Sequence, residues 1–295
     1  MKTVAYKYLP PDLADRLRGF GLAVRRPMEG PRQGQHRSPH HGSSVEFSDY
    51  REYTRGDPPN LIDWAVYARS DRYVIRRYQE ETSLRAFILL DTSESMNYRE
   101  GGIYTKFEYA CYLAASFMYI LIGQGDSAGL MLFNEDVYKV FQPAGSLEGL
   151  RPLLLGLEEA QASGRSNVEA ALHKVAAQIK SRSLVIVISD LLCEPAQTLR
   201  GIRHLHHDGH EVTIMHVLDP GEIRFNFAGL VELRELETGQ RLVLQADEVR
   251  EAYAAEVRRF IETLRKGCMD CLADYYLVPT RKPVEEALHM RVTRA

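Results

Sequence analysis

The chain has 295 residues, enough for one large core or two modest ones, and its 45% hydrophobic and 26% charged residues are ordinary for a globular protein. A net charge of −3 suggests no general attraction to nucleic acid or anionic lipid, and nucleic acid is not expected as a partner. No stretch is long and apolar enough for a transmembrane segment: the best candidate, 107–122, carries Glu108 and suits a buried helix.

The first residues, Met1 to Lys7, hold no apolar core of signal-peptide length. Pro10, Pro11 and Asp12 open a short predicted helix over 13–20, where a proline and an acid suit the first turn. Residues 27–44 are rich in glycine, proline, arginine and histidine and are expected to form a loop. Order is expected again at Val45, with strand-like runs over 62–67 and 73–78.

From Leu84 onward, buried strands alternate with helices. The run 86–90 is continuously apolar and ends at Asp91, as in a strand covered on both faces of a parallel sheet. A helix over 107–122 stops at Gly123 and Gly125, and a strand over 128–133 turns back into 137–141. Ser146 can cap a helix reaching about residue 160, and Ser166 with Glu169 forms an S-x-x-E capping box for a helix ending near residue 180. A second buried strand, 184–189, ends at Asp190. It is followed by a helix over 196–207 and a strand over 211–217. Runs 231–236 and 241–245 flank Glu237-Thr238-Gly239-Gln240 as a hairpin, and a helix over 247–266 leads to a last strand, 271–278. The expected fold class is α/β, with a doubly wound, mostly parallel sheet. Residues 1–82 are expected to be an N-terminal extension and 83–295 the α/β domain, with its hairpin at 231–245.

Ligands of such sheets gather at the carboxyl ends of strands, where the strand order reverses. Asp91 and Asp190 sit at two such ends. Ser93 and Ser95 follow Asp91 at a spacing that lets both hydroxyls face one point, and Ser166 lies at a helix start expected on the same edge. All five side chains offer hard oxygen donors, which suit Mg²⁺ or Mn²⁺ and not zinc. Neutral hydroxyls leave the metal its charge, so a site of this kind can complete its octahedron with a carboxylate from another protein.

The segment Asp91-Thr92-Ser93-Glu94-Ser95 resembles the D-x-S-x-S of the metal-ion-dependent adhesion site in von Willebrand factor A domains. Ser166 stands where those domains place a threonine, and Ile188-Ser189-Asp190 where they place a third-loop aspartate. Upstream, Glu46-Phe47, Arg51, Tyr53, Gly56-Asp57, Ile62-Asp63-Trp64 and Ala68-Arg69 resemble the signature of one bacterial family. That family is the von Willebrand factor A-like proteins catalogued as domain of unknown function fifty-eight. Gly125-Asp126, Leu218-Asp219-Pro220-Gly221-Glu222 and Glu237-Thr238-Gly239 agree with it as well. Asn60 and Leu61 stand where the family usually has an arginine, and serine replaces threonine at 166. The resemblance implies a partnership with a MoxR-type AAA+ ATPase. It also implies a metal site in which Asp91, Ser93, Ser95 and Ser166 ligate, while Asp190 orients a metal-bound water.

Competing readings are weaker. A haloacid dehalogenase-type phosphatase needs a second aspartate where Ser93 stands, and Gly164-Arg165-Ser166-Asn167-Val168 lacks the closing glycine of a hydrolase elbow. No P-loop is present. Glu94 is expected to be solvated. Arg51, Asp57, Asp63, Trp64 and Arg69 are expected to form a paired, partly buried network, with Trp64 in packing. His204, His206, His207 and His210 read as a solvated helix end, although 206 and 210 share a helical face. Cys268-x-x-Cys271 stands without a second pair, so a structural role and a reducing, cytoplasmic setting are expected. The expected function is non-catalytic: capture of an Asp or Glu on a client protein through Mg²⁺ or Mn²⁺. A Mg²⁺-dependent hydrolase using the same ion is the alternative.

Overall fold

The computed structural model describes residues 6–22, 46–57, 59–79, 84–290 and 293–294. The chain divides into two compact units, one made of Met1–Arg25 with Leu84–Ala295, the other of Arg26–Ser83. The first 25 residues therefore group with the α/β unit.

In chain order the elements begin with α1 (Pro11–Leu17), β1 (Phe20–Gly21), β2 (Glu46–Glu52), α2 (Trp64–Ser70), β3 (Val74–Gln79) and β4 (Arg85–Asp91). Next come α3 (Lys106–Gly123), β5 (Ser127–Phe133), β6 (Val137–Ala144), α4 (Leu147–Glu159), α5 (Val168–Gln178) and β7 (Leu184–Ser189). The remainder is α6 (Pro195–His207), β8 (Glu211–Leu218), α7 (Pro220–Arg224), β9 (Leu230–Arg234), β10 (Arg241–Gln245), α8 (Ala246–Asp270), β11 (Asp274–Pro279), α9 (Val284–His289) and β12 (Thr293–Arg294).

The larger unit is built on a six-stranded sheet in the order β11-β8-β7-β4-β5-β6, parallel throughout except for β6, which runs antiparallel to β5. Every residue of β7 and all but the first of β4 are buried, which is why both read as unbroken apolar runs. Alternate side chains serve opposite faces. Phe87 and Leu89 of β4 join Val185 and Val187 of β7 under α5, α6 and α8, in a cluster that includes Leu172, Ile202 and Leu264. The other face is covered by α3, which packs on β4, β5, β7 and β8, with α4 beside it on β5 and β6 and with α1 and α9 packed against α3. α3 has a capping box from Thr105 and Glu108 and is buried nearly all round, so its hydrophobicity reflects a core position. This is the doubly wound α/β arrangement expected from the sequence. Among the described residues no helix is long and apolar enough to cross a membrane.

In the smaller unit β2 and β3 form an antiparallel pair, with a register shift between Phe47 and Asp49. The strand expected over 62–67 is instead the start of α2. Asp63 accepts hydrogen bonds from the Ala65 and Val66 N–H groups at 3.0 and 3.2 Å, and this capping turns an alternating pattern into a helix. Arg51 pairs with Asp57 at 2.8 Å and Arg69 donates to the Ala65 carbonyl, so the described contacts of these charges are local. Trp64 is 57% exposed, which corrects its expected role in packing.

At the other end of the chain, α8 runs one turn past its expected stop and β11 begins only at Asp274. Cys268 and Cys271 are both buried in the apolar cluster with free thiols, as packing residues would be.

Candidate metal centre

Strand order reverses between β4 and β7, because the connection after β4 leads through α3 to β5 on one side and that after β7 through α6 to β8 on the other. The carboxyl ends of these two neighbouring strands therefore flank a crevice, and Asp91 and Asp190 stand there. Both are fully buried, as are Ser93 and nearly all of Ser95.

The loop after β4 is tied to the loop before α5 through its backbone. The Ser163 N–H donates to the Thr92 carbonyl at 2.8 Å, and the Glu94 N–H to the Gly164 carbonyl at 2.8 Å. These bonds bring the third hydroxyl into place. Ser166 Oγ donates to Asp91 Oδ2 at 3.1 Å, and Ser189 Oγ donates to the same oxygen at 2.6 Å. Asp91 Oδ1 accepts the Ser93 N–H at 2.9 Å, closing a tight turn in which the Ser93 and Ser95 hydroxyls lie 3.0 Å apart. Asp91, Ser93, Ser95 and Ser166 thus converge. The capping box expected at Ser166 does not form: Asn167 caps α5 through the Ala170 N–H, which leaves the Ser166 hydroxyl for Asp91. Glu94 faces Asn97, whose amide donates to it at 3.3 Å.

Asp190 is held from several sides. Its Oδ1 accepts the Leu192 N–H at 3.3 Å, and its Oδ2 accepts the ammonium of Lys106 at 2.7 Å. Lys106 is the first residue of α3, fully buried, and also reaches Glu222 Oε1 at 2.6 Å. Burial opposes its charge, yet Asp190 and Glu222 together hold its pKa above the usual lysine value. Glu222 in turn is positioned by Asp219, with which it forms the capping box of α7. Asp219 also accepts the N–H groups of Gly101 and Gly102 at 2.8 and 3.0 Å. A Cβ at Gly102 would come within 2.3 Å of the Thr280 hydroxyl, so this clasp requires a glycine. The Leu218–Glu222 segment singled out in the sequence is the element that aims Glu222 at Lys106.

Beneath Asp190, His216 of β8 is fully buried and lies with Nε2 2.8 Å from the Asp190 carbonyl and Nδ1 2.5 Å from the Tyr275 hydroxyl. Burial lowers its pKa to about 4, so the ring is neutral, with Nε2–H donating and Nδ1 accepting. Leu191, next to Asp190, has φ +51 and no exposed surface, a strained conformation for a leucine held in the apolar cluster. For Asp91, burial first and the Asp190 charge second push the carboxyl up to about 6. A hard cation at Asp91 would relieve that cost.

The donor set fits such a cation in kind: carboxylates and hydroxyls, all oxygen, with no nitrogen or sulfur in the ring. Asp91, Ser93, Ser95 and Ser166 could hold Mg²⁺ or Mn²⁺. Asp190, with both oxygens already engaged, is better placed to orient a water. Among the described residues no group of three or more His, Cys, Asp and Glu side chains is arranged to hold a metal. The histidines after residue 203 do not converge. His206 and His207 are exposed and His204 meets His173, with their Nδ1 atoms 2.7 Å apart. His210 lies past the end of α6, buried, and accepts the Ser183 N–H.

Nothing in the sequence marks Lys106 or His216, and Glu222 and Glu237 stand there only within matched motifs, with no role assigned. The Glu237 carboxylate, at the tip of the β9–β10 hairpin, accepts the Ser166 N–H at 3.3 Å.

Among proteins of known sequence, the chain is 26% identical over 232 residues to Uncharacterized protein Rv1480 of Mycobacterium tuberculosis, covering 78% of this chain and 72% of that one. Uncharacterized protein Mb1516 of Mycobacterium bovis matches to the same extent. Among solved structures, the conserved hypothetical protein BatB of Bacteroides thetaiotaomicron is similar at 13% identity and a TM-score of 0.47, over 71% of this chain and 96% of that one. The SpRpn10 VWA domain is similar at 14% identity and a TM-score of 0.42, over 71% and 95%. The family described as "Protein of unknown function DUF58" matches residues 49–262, and the chain belongs to it.

Proposed function

We propose that this chain is a cytoplasmic, metal-dependent protein-binding module that captures an acidic side chain of a partner through Mg²⁺ or Mn²⁺ held at Asp91, Ser93, Ser95 and Ser166. The observation that carries the reading is the convergence of these four side chains, through hydrogen bonds, at the carboxyl edge of the sheet beside Asp190. The bound ion would supply electrophilic character toward a carboxylate. The chain supplies the ring of neutral hydroxyls, the buried position that excludes competing water, and Asp190 fixed by Lys106 and Leu192. A MoxR-type AAA+ ATPase is the working partner implied by the sequence resemblance, and the chain serves it as an adaptor or chaperone-like factor.

Titration calorimetry tests the metal: wild type should bind Mg²⁺ or Mn²⁺ at one site, and Asp91→Ala should not. Retention of a purified MoxR-type ATPase on the immobilised chain should disappear with EDTA. Mg²⁺-dependent turnover of a phosphate ester, lost in Asp91→Ala, would replace this reading with an enzymatic one.

A further inference from the structure

The β9–β10 hairpin reaches from the surface back to the crevice. Its strands pair through Arg241↔Arg234 to Gln245↔Leu230, and its base is fastened by the Ala246 N–H to the Gly229 carbonyl at 2.8 Å and by the Gly229 N–H to Asp247 at 3.0 Å. Its tip is equally defined. The Glu235 N–H donates to the Gln240 carbonyl at 2.8 Å, the Gly239 N–H donates to the Glu235 carbonyl at 2.9 Å, and the Thr238 hydroxyl bonds the Glu235 carboxylate. Gly239 at φ +73 allows the reversal. These restraints leave the Glu237 side chain pointing inward. It accepts the Ser166 N–H, and it lines one cavity together with Ser95.

Glu237 is half-buried, and among the described residues it forms no ion pair. The nearest buried ammonium, that of Lys106, is already shared by Asp190 and Glu222. An acid is thus held against the Ser166 N–H and beside Ser95, with no cation of its own among the described residues. A carboxylate so placed has lone pairs left to offer a cation held at those residues. A carboxylate beside Ser95 and Ser166 is also what the proposed site would seek in a partner.

We propose that Glu237 is an internal ligand of the metal site, occupying the coordination position that a partner's carboxylate must take. The inference rests on the metal-binding reading above. The resting protein is self-capped, and engagement by an acidic partner requires Glu237 to leave. A cavity of about 230 Å³ lined by Ser95, Glu222, Phe225, Leu236, Glu237 and Tyr253 gives the displaced side chain room without unfolding the hairpin.

Mn²⁺ provides the test, read by electron paramagnetic resonance for affinity and by water-proton relaxation for the number of inner-sphere waters. Wild type, Glu237→Ala, Glu237→Gln and Asp91→Ala are compared, with melting curves to confirm that each is folded. Both Glu237 variants should bind Mn²⁺ on the order of tenfold more weakly. They should also carry one more inner-sphere water. Acetate at millimolar concentration should displace water from the Mn²⁺ of Glu237→Ala and leave wild type unchanged. Wild-type affinity and water count in both variants, with binding lost in Asp91→Ala, would overturn the internal ligand and leave the metal site standing. Absence of Mn²⁺ binding in wild type would overturn both.

Discussion

Asp91→Asn should make the metal-free protein more stable while abolishing its response to metal. The carboxyl of Asp91 is lifted from its ordinary 3.8 to about 6, chiefly by burial and next by Asp190. A group whose folded pKa exceeds its unfolded value contributes stability below the unfolded value and loses it as pH rises through the folded one. At pH 7.5 the ionised form therefore costs folding roughly 3 kcal/mol, at about 1.4 kcal/mol per pH unit. Asparagine removes the charge but keeps one acceptor for the Ser93 N–H, and its amide must donate to Ser189 or Ser166 in place of accepting from them. Losing about one good hydrogen bond returns roughly 1 kcal/mol, for a net gain of about 1–2 kcal/mol. In a chain of this size that raises the melting midpoint by about 2–6 °C. Scanning calorimetry in EDTA checks the first half of the expectation. In excess Mg²⁺ the wild type should rise by RT ln(1 + [L]/Kd) and Asp91→Asn should not move. A metal-free Asp91→Asn protein that melts below wild type would refute the claim that Asp91 is an electrostatic cost kept for a cation.

Lys106→Met should destabilise by about 3–5 kcal/mol in urea, because it strands the buried Asp190 and the partly buried Glu222, and adding Glu222→Gln should recover part of that loss. Ser166→Ala should weaken Mg²⁺ binding about tenfold in calorimetry. Ser166→Thr should restore it, and Asn167→Ala should cost about 1 kcal/mol of stability with the metal affinity intact. His216 is neutral in the fold with a pKa near 4, below its ordinary 6.5, so its contribution is complete above pH 6.5 and lost as pH falls toward 4. Relative to His216→Gln, wild type should lose roughly 3 kcal/mol across that interval, measured by urea titration at each pH.

The parts of the site that lie on the sheet were legible because burial on both faces leaves a mark. Continuous apolar runs ended at Asp91 and Asp190, and such runs in parallel sheets point to the ligand-binding edge. The S-x-x-E pattern at Ser166 does not cap α5, because Asn167 stands one residue on and makes the better cap, freeing the serine. The helix α2 hid behind an alternating Ile62-Asp63-Trp64-Ala65 pattern that only the capping by Asp63 resolves. Lys106 gave no signal: a lysine beginning a helix ordinarily lies in solvent, and its partners are 84 and 116 residues away. Glu237 shares that difficulty, since an acid at a hairpin tip is usually hydrated, and only the placement of the hairpin against the crevice gives it a neighbour.

Leu191 mounts the crevice on the interior of the protein. Its side chain is clamped among the apolar residues under α5 and α6, while its twisted backbone fixes the direction in which Asp190 faces. A force that turns Asp190 must therefore drag a buried anchor through close-packed neighbours. The rim around Asp190 is thereby one stiff piece, while the hairpin opposite is fastened only at its base and tip.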